Sequence, residues 1–134
     1  MAKGAKPESV AVWFVEFYRD ARGRCPVEEW IAGLHDPKGM IRARIDATLI
    51  RLREAGGRLP QPYCKHLRDK LWELRWHIGS EYLRVIFTSV TGRIVLLMSG
   101  FTKTTDKTPP GELDLAERRL KEWNERHATK KRKG

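Results

Sequence analysis

Cysteine is nearly absent. Cys25 and Cys64 are the only two in 134 residues, and they stand far apart. That excludes a disulfide framework and a cysteine-based metal site, and it suits a reducing compartment. Long apolar runs are missing too. The longest, Ile94–Met98, falls far short of the roughly 20 residues a membrane-spanning helix needs. The start, Met1–Ser9, is polar and lacks the apolar stretch of a signal peptide, so no membrane partner is expected and the chain reads as cytoplasmic. No cluster of Asp, Glu, His or Cys suggests a metal, and no cofactor is expected. Negative charge is in deficit, with 17 acidic residues against 27 Lys and Arg and a formal net charge of +10. Hydrophobic residues make up 40 %, enough to place that charge on a folded domain. A folded domain this basic points to a polyanionic partner, with RNA foremost.

What is present reads as one α+β domain over residues 10–127, between a polar extension, 1–9, and a basic tail, 128–134, expected to be disordered. Val10–Tyr18 is rich in Val and aromatic residues and predicts a strand. Cys25-Pro26 opens a short helix with Val27, Trp30, Ile31 and Leu34 on one face. Asp36-Pro37 caps a second helix whose stripe is Ile41, Ile45, Leu49 and Leu52, ended by Gly56-Gly57. Its other face carries Arg42, Arg44, Arg51 and Arg53, read first as a solvated face and second as a surface for a partner. A three-stranded meander follows: 71–78, 81–90 and 93–101, joined at Gly79-Ser80 and Thr91-Gly92. A last helix begins after Thr108-Pro109-Pro110, with Leu113, Ala116, Leu120 and Trp123 on one face.

Two-residue turns fix the register. The first sets Arg75 opposite Arg84 and His77 opposite Tyr82. The second sets Phe101 opposite Tyr82 and Ser99 opposite Arg84. One face then holds Trp72, Leu74, Trp76, Leu83, Val85, Phe87, Leu96 and Met98, and must be the core. The other face is mixed: Glu73, Arg75, His77, Tyr82, Arg84 and Ser99 with Ile86, Leu97 and Phe101. Two arginines directly opposed repel by about 1–3 kcal/mol, depending on the local dielectric. Either Glu73 neutralises one of them, or the pair is a slot for phosphate. Tyr82 and Phe101 would offer stacking surfaces beside it. Lys103 and Lys107 would frame it.

A set of short pieces recurs in a fixed order: Leu71-Trp72-Glu73-Leu74-Arg75, Tyr82-Leu83-Arg84-Val85-Ile86, Ile94-Val95-Leu96-Leu97, Gly100-Phe101-Thr102-Lys103 and Lys107-Thr108-Pro109, then Glu112, Ala116 and Arg119. In order and spacing the chain resembles the RelE/ParE superfamily of bacterial toxins, most closely its HigB-like, phage-associated branch. The likeness runs from about Val12 to Trp123. It implies a small antiparallel sheet with a helical hairpin after the first strand, matching the order read above. It also implies a cytoplasmic toxin of a type II toxin–antitoxin system, neutralised by an antitoxin that is often a helix-turn-helix protein. The implied activity is metal-independent cleavage of mRNA, commonly on the ribosome. ParE-type relatives act instead on DNA gyrase and cleave no RNA, and a basic RNA-binding module without chemistry is a third reading. The family's functional arginines fall on Arg75 and Arg84, and its lysine after Gly-Phe on Lys103. Where relatives often have a second lysine, this chain has Thr104. The terminal region has no clear equivalent of the C-terminal tyrosine or histidine that some relatives use; His127 is the candidate for it, with a flexible surface histidine the favoured expectation.

RNA cleavage by its own 2′-OH needs a base, charge stabilisation at the phosphate and an acid. Arg75 and Arg84 suit the charge role, and guanidinium does not carry protons. Lys103 suits either charge stabilisation or proton exchange; His77 and Tyr82 are the other candidates for proton transfer, with a bystander role equally open for His77. Lys107, Phe101 and Ser99 are the expected RNA contacts.

Overall fold

The computed structural model describes residues 12–103 and 107–133, with side chains through residue 128. The expectations for Met1–Ser9, Val10 and Thr104 lie outside the described residues. The order is β1 (Phe14–Phe17), α1 (Pro26–Ala32), α2 (Met40–Glu54), β2 (Cys64–Arg68), β3 (Leu71–Ile78), β4 (Glu81–Val90), β5 (Ile94–Lys103) and α3 (Pro110–Lys133). This is the expected α+β architecture, with one strand more than the sequence reading. The five strands are ordered β1-β5-β4-β3-β2. β1 runs parallel to β5 while the other pairs are antiparallel, so the sheet is mixed rather than wholly antiparallel.

The hairpin of α1 and α2 starts as the sequence suggests. Pro26 occupies the first turn of α1, where its missing N–H costs nothing. Asp36 caps α2 from four residues upstream of its start: its carboxylate accepts the N–H groups of Ile41 and Arg42, both at 2.9 Å. Ile45, Leu49 and Leu52 are buried against Leu74, Trp76, Leu83, Val85 and Phe87 of the sheet. α1 lies on β5 so closely that Gly100 is required there. A Cβ at that position would collide with the Trp30 ring. The Trp30 indole N–H donates to Thr102 Oγ1 at 3.0 Å.

α3 covers the opposite face. Leu113, Ala116, Leu120 and Trp123 pack on Tyr18, Leu71, Ile86, Leu96, Met98 and Phe101. There are therefore two apolar layers, one on each side of the sheet. The backbone of the basic tail continues α3 to Lys133, where the sequence reading expects disorder. His127 is also held rather than flexible: its ring stacks on Trp123 with centroids 3.5 Å apart, and its Nδ1 lies 2.8 Å from the Trp123 carbonyl.

The β3–β4 register is the expected one, with Arg75 opposite Arg84 and His77 opposite Tyr82. The β4–β5 register is not. Val90 pairs with Ile94, so the turn holds three residues, Thr91, Gly92 and Arg93. Gly92 and Arg93 both have positive φ, 97° and 58°, the geometry of a three-residue hairpin loop. A one-residue change of register moves side chains to the other face. Accordingly Val95 and Leu97 join the α1–α2 layer, while Leu96 and Met98, expected there, lie under α3. A bulge between Ile86 and Phe87 then leaves Met98 as the extra residue and shifts the rest of β5 once more. As a result Tyr82 faces Lys103, Arg84 faces Phe101 and Ile86 faces Ser99.

Candidate functional site

β2 pairs with β3 only as far as Cys64 opposite Leu74, and one further bond joins the Arg75 N–H to the Tyr63 carbonyl at 3.0 Å. Beyond that point, among the described residues, Trp76, His77 and Ile78 have no strand on this side. A cleft of about 560 Å³ opens here, lined by Arg44, Ala47, Thr48 and Arg51 of α2, by Pro62 and Tyr63, and by Arg75, Trp76, His77, Tyr82 and Arg84. Its floor is tied to α2, since the Trp76 indole N–H donates to Thr48 Oγ1 at 3.0 Å. The Arg51 guanidinium lies over the Tyr63 ring, 5.1 Å from its centroid. Tyr63 itself is 44 % exposed.

The cleft gathers four of the expected site residues. His77 is exposed and stacks on Tyr82, with centroids 4.3 Å apart and planes 12° from parallel. The Arg84 guanidinium lies 5.1 Å from the Tyr82 centroid on the same strand. Lys103 stands directly across from Tyr82, so His77, Tyr82 and Lys103 form one row over three strands. Directly opposed residues in antiparallel strands share a face. Lys103 is half-buried, with Nζ 5.9 Å from the centroid of Phe101.

The arginine pair is not a bare anion slot. Arg84 is buried, as is Glu73, and Oε1 of Glu73 stands 3.4 Å from Arg84 Nε and 3.5 Å from Arg75 Nε. Glu73 therefore neutralises part of the charge, one of the two outcomes open from the sequence. Arg84 Nη1 also donates to the carbonyls of Trp76 and Leu83, at 3.4 and 3.3 Å. Both arginines line the cleft, and Arg75, with 17 % of its side chain exposed, is the more open of the two.

Three expected RNA contacts lie elsewhere. Ser99 is buried and accepts a 2.7 Å hydrogen bond from Arg119 Nη1, which also donates to the Met98 carbonyl. Burial pulls the Arg119 pKa below its ordinary value. Phe101 is 8 % exposed within the α3 layer. Neither offers a surface for RNA, because α3 closes over the face on which the register places them. Lys107 is exposed but lines a separate depression of about 340 Å³ with Lys65, His66 and Thr108. Conversely, Arg44, Arg51 and Tyr63 line the cleft. Tyr63 is not singled out by the sequence; for the two arginines this place favours the second sequence expectation, a partner surface, over a solvated face. The available signal was their spacing: positions seven apart return to one side of a helix, beside the strand that carries Arg75.

Among the described residues, no group of three or more His, Cys, Asp or Glu side chains is placed to hold a metal ion, and no helix is long and apolar enough to cross a membrane. No curated protein matches the chain. The model of one family, phage-derived proteins of the Gp49-like type (DUF891), matches residues 29–121. That span takes in α2, the whole meander, every cleft residue and the first half of α3. With both the fold and the matched span in hand, the chain belongs to the phage-derived Gp49-like proteins, a toxin-like family of RelE type.

Proposed function

We propose that the protein is the toxin of a type II toxin–antitoxin system, close to the HigB-like branch, and that it cleaves mRNA without a metal in the cytoplasm. The observation that carries this reading is the cleft where Arg44, Arg51 and Arg75 surround His77 and Tyr82. Three guanidiniums on two elements suit a ribose-phosphate chain, because each presents a fork of donors to phosphate oxygens. Tyr63 and Tyr82 supply flat faces beside them for unpaired bases.

In this reading the 2′-OH attacks the adjacent phosphorus, the bond to the 5′-oxygen breaks, and a 2′,3′-cyclic phosphate forms. The neutral His77 imidazole takes the hydroxyl proton. Its stack on Tyr82 restrains the ring without covering its exposed edge. Arg75 meets the charge that develops on the phosphoryl oxygens. Tyr82 or Lys103, next in the same cross-strand row, returns a proton to the leaving oxygen. Positioning on ribosome-bound mRNA would add alignment, so no single strong base is needed. The antitoxin, of helix-turn-helix type, would neutralise the basic cleft with an acidic segment.

The test is primer extension on cellular mRNA after brief expression, paired with digestion of a defined RNA by purified protein in a chelator. Discrete new 5′ ends and cyclic-phosphate products are expected. DNA damage without new ends would replace this reading with a gyrase-directed toxin. Tight RNA binding without cleavage by the protein or its ribosome complex would leave a binding module.

A further inference from the structure

Arg75 is useful to a phosphate only if its guanidinium is held toward the cleft, and a group outside the cleft does the holding. Glu73 is 1 % exposed. One of its oxygens, Oε1, faces both Arg75 Nε and Arg84 Nε. The other, Oε2, accepts a 2.6 Å hydrogen bond from the Thr108 hydroxyl. Thr108 stands just before α3, so the segment leading into that helix fixes the carboxylate. Arg84, held by two backbone carbonyls, is the immobile end of the group. Arg75 is the end that meets solvent.

We propose that Glu73 and Thr108 are positioning residues that aim Arg75 into the cleft. The proposal rests on the cleft being the substrate site argued above. The Thr108 hydroxyl stops the carboxylate from rotating. The carboxylate turns the mutual repulsion of two opposed guanidiniums into attraction toward a shared centre. Arg84, nearly fully buried at the cleft wall, contributes mainly by holding Glu73.

The experiment measures binding of a short single-stranded RNA whose 2′-hydroxyls are replaced by hydrogen, so that it cannot be cut. The proteins are wild type, Thr108→Val, Thr108→Ser, Arg75→Met and the double variant Thr108→Val/Arg75→Met. Thr108→Val keeps every charge, yet it should weaken binding about tenfold, as expected for a lost hydrogen bond to a charged group. It should also lower the logarithmic salt slope by about 0.7, the value of one phosphate contact on a single strand. Thr108→Ser should restore both. In the Arg75→Met background, Thr108→Val should do nothing more, because both changes remove the same contact. Losses that multiply would overturn the proposal, as would a Thr108→Val protein that binds normally or fails to fold. A wild type that binds this strand but cuts no RNA sinks only the nuclease reading. A wild type that does not bind it sinks the assignment of the cleft, and the positioning role with it.

Discussion

On the α1–α2 side of the sheet, Leu74, Trp76, Leu83, Val85, Phe87, Val95 and Leu97 meet helices through apolar contact. On the α3 side, Ile86, Leu96, Met98 and Phe101 share their burial with Glu73, Arg84 and Ser99. A buried polar group is tolerated only when partnered, and these are: Glu73 by two guanidiniums and Thr108, Ser99 by Arg119. The first layer resists change by shape and the second by pairing. The cleft sits where the two meet, at the free end of β3. There a residue can be anchored on the paired side and still reach solvent, as Arg75 does.

The largest expected effect breaks the apolar layer. Phe87 is 1 % exposed, and Phe87→Ala should lower stability by about 3–5 kcal/mol, the usual loss for an aromatic side chain in a core. Urea unfolding gives the number. A shift below about 1 kcal/mol would mean that the α1–α2 layer is loosely packed and the contrast between the layers is wrong.

Next is the paired layer, where the signature is coupling rather than size. Arg84→Met alone leaves the Glu73 carboxylate beside a single arginine, and Glu73→Leu alone takes the facing carboxylate from a buried guanidinium. Breaking one partner of a buried pair costs about 3–5 kcal/mol, whereas replacing both by apolar groups is often close to neutral. The double variant Glu73→Leu/Arg84→Met should therefore be more stable than either single one. Additive losses would show that Arg84 and Glu73 do not act as a unit. The 3.4 Å contact with Glu73 is the reason that removing Arg84 should cost stability.

Arg75 tests the junction of the two layers. Its side chain is less buried than that of Arg84, and Arg84 still faces Glu73, so Arg75→Ala should cost less stability than Arg84→Met. Growth arrest and cleavage should fall about 10²–10³-fold, by analogy with loss of an oxyanion donor. Equal losses of stability and activity would make Arg75 structural and leave the cleft without its central cation.

How much of this was legible beforehand follows from local geometry. Gly79-Ser80 closes a two-residue turn, so the opposition of Arg75 and Arg84 could be read directly. Thr91-Gly92 looks the same in sequence, yet Arg93 also takes a positive φ and Met98 bulges. Two single-residue events exchanged the partners of Tyr82 and Arg84. Neither leaves a composition signal, because Arg93 is not a residue type that favours positive φ. β2 was missed because Cys-Lys-His-Leu-Arg is short and polar, as an edge strand often is. Arg44 and Arg51 were visible as a polar helix face, but only the approach of α2 to the bare end of β3 separates a cleft wall from a solvated surface. Glu73 was legible as a possible counter-ion. Its link to Thr108 spans 35 residues and needed the tertiary structure.

The smallest expected effects set the two layers apart by pH. On the α1–α2 side, Asp36 has its pKa lowered from 3.8, first by the N–H of Ile41 and then by that of Arg42. A carboxylate whose folded pKa is depressed stabilises the fold above its unfolded pKa, and that contribution is lost as pH falls through the folded value. Asp36→Asn should therefore flatten the loss of stability below about pH 4. Asp20, shifted down by the Arg24 and Arg22 amides, should preserve part of it. On the α3 side, burial and the 2.7 Å hydrogen bond to Glu122 raise Tyr18 from 10.0 to about 12. Here the sign reverses. The unfolded chain releases this proton first, so stability is full below pH 10 and declines as pH rises toward about 12. Tyr18→Phe should remove that alkaline decline while leaving the acid side untouched, and Asp36→Asn should do the opposite. Stability curves for both variants across pH 2–12 would check this, with the tyrosinate absorbance of the folded protein followed in parallel. If Tyr18 ionises near pH 10 without loss of structure, the α3 layer does not close over its hydroxyl, and the claim that this face is held by pairing loses one of its members.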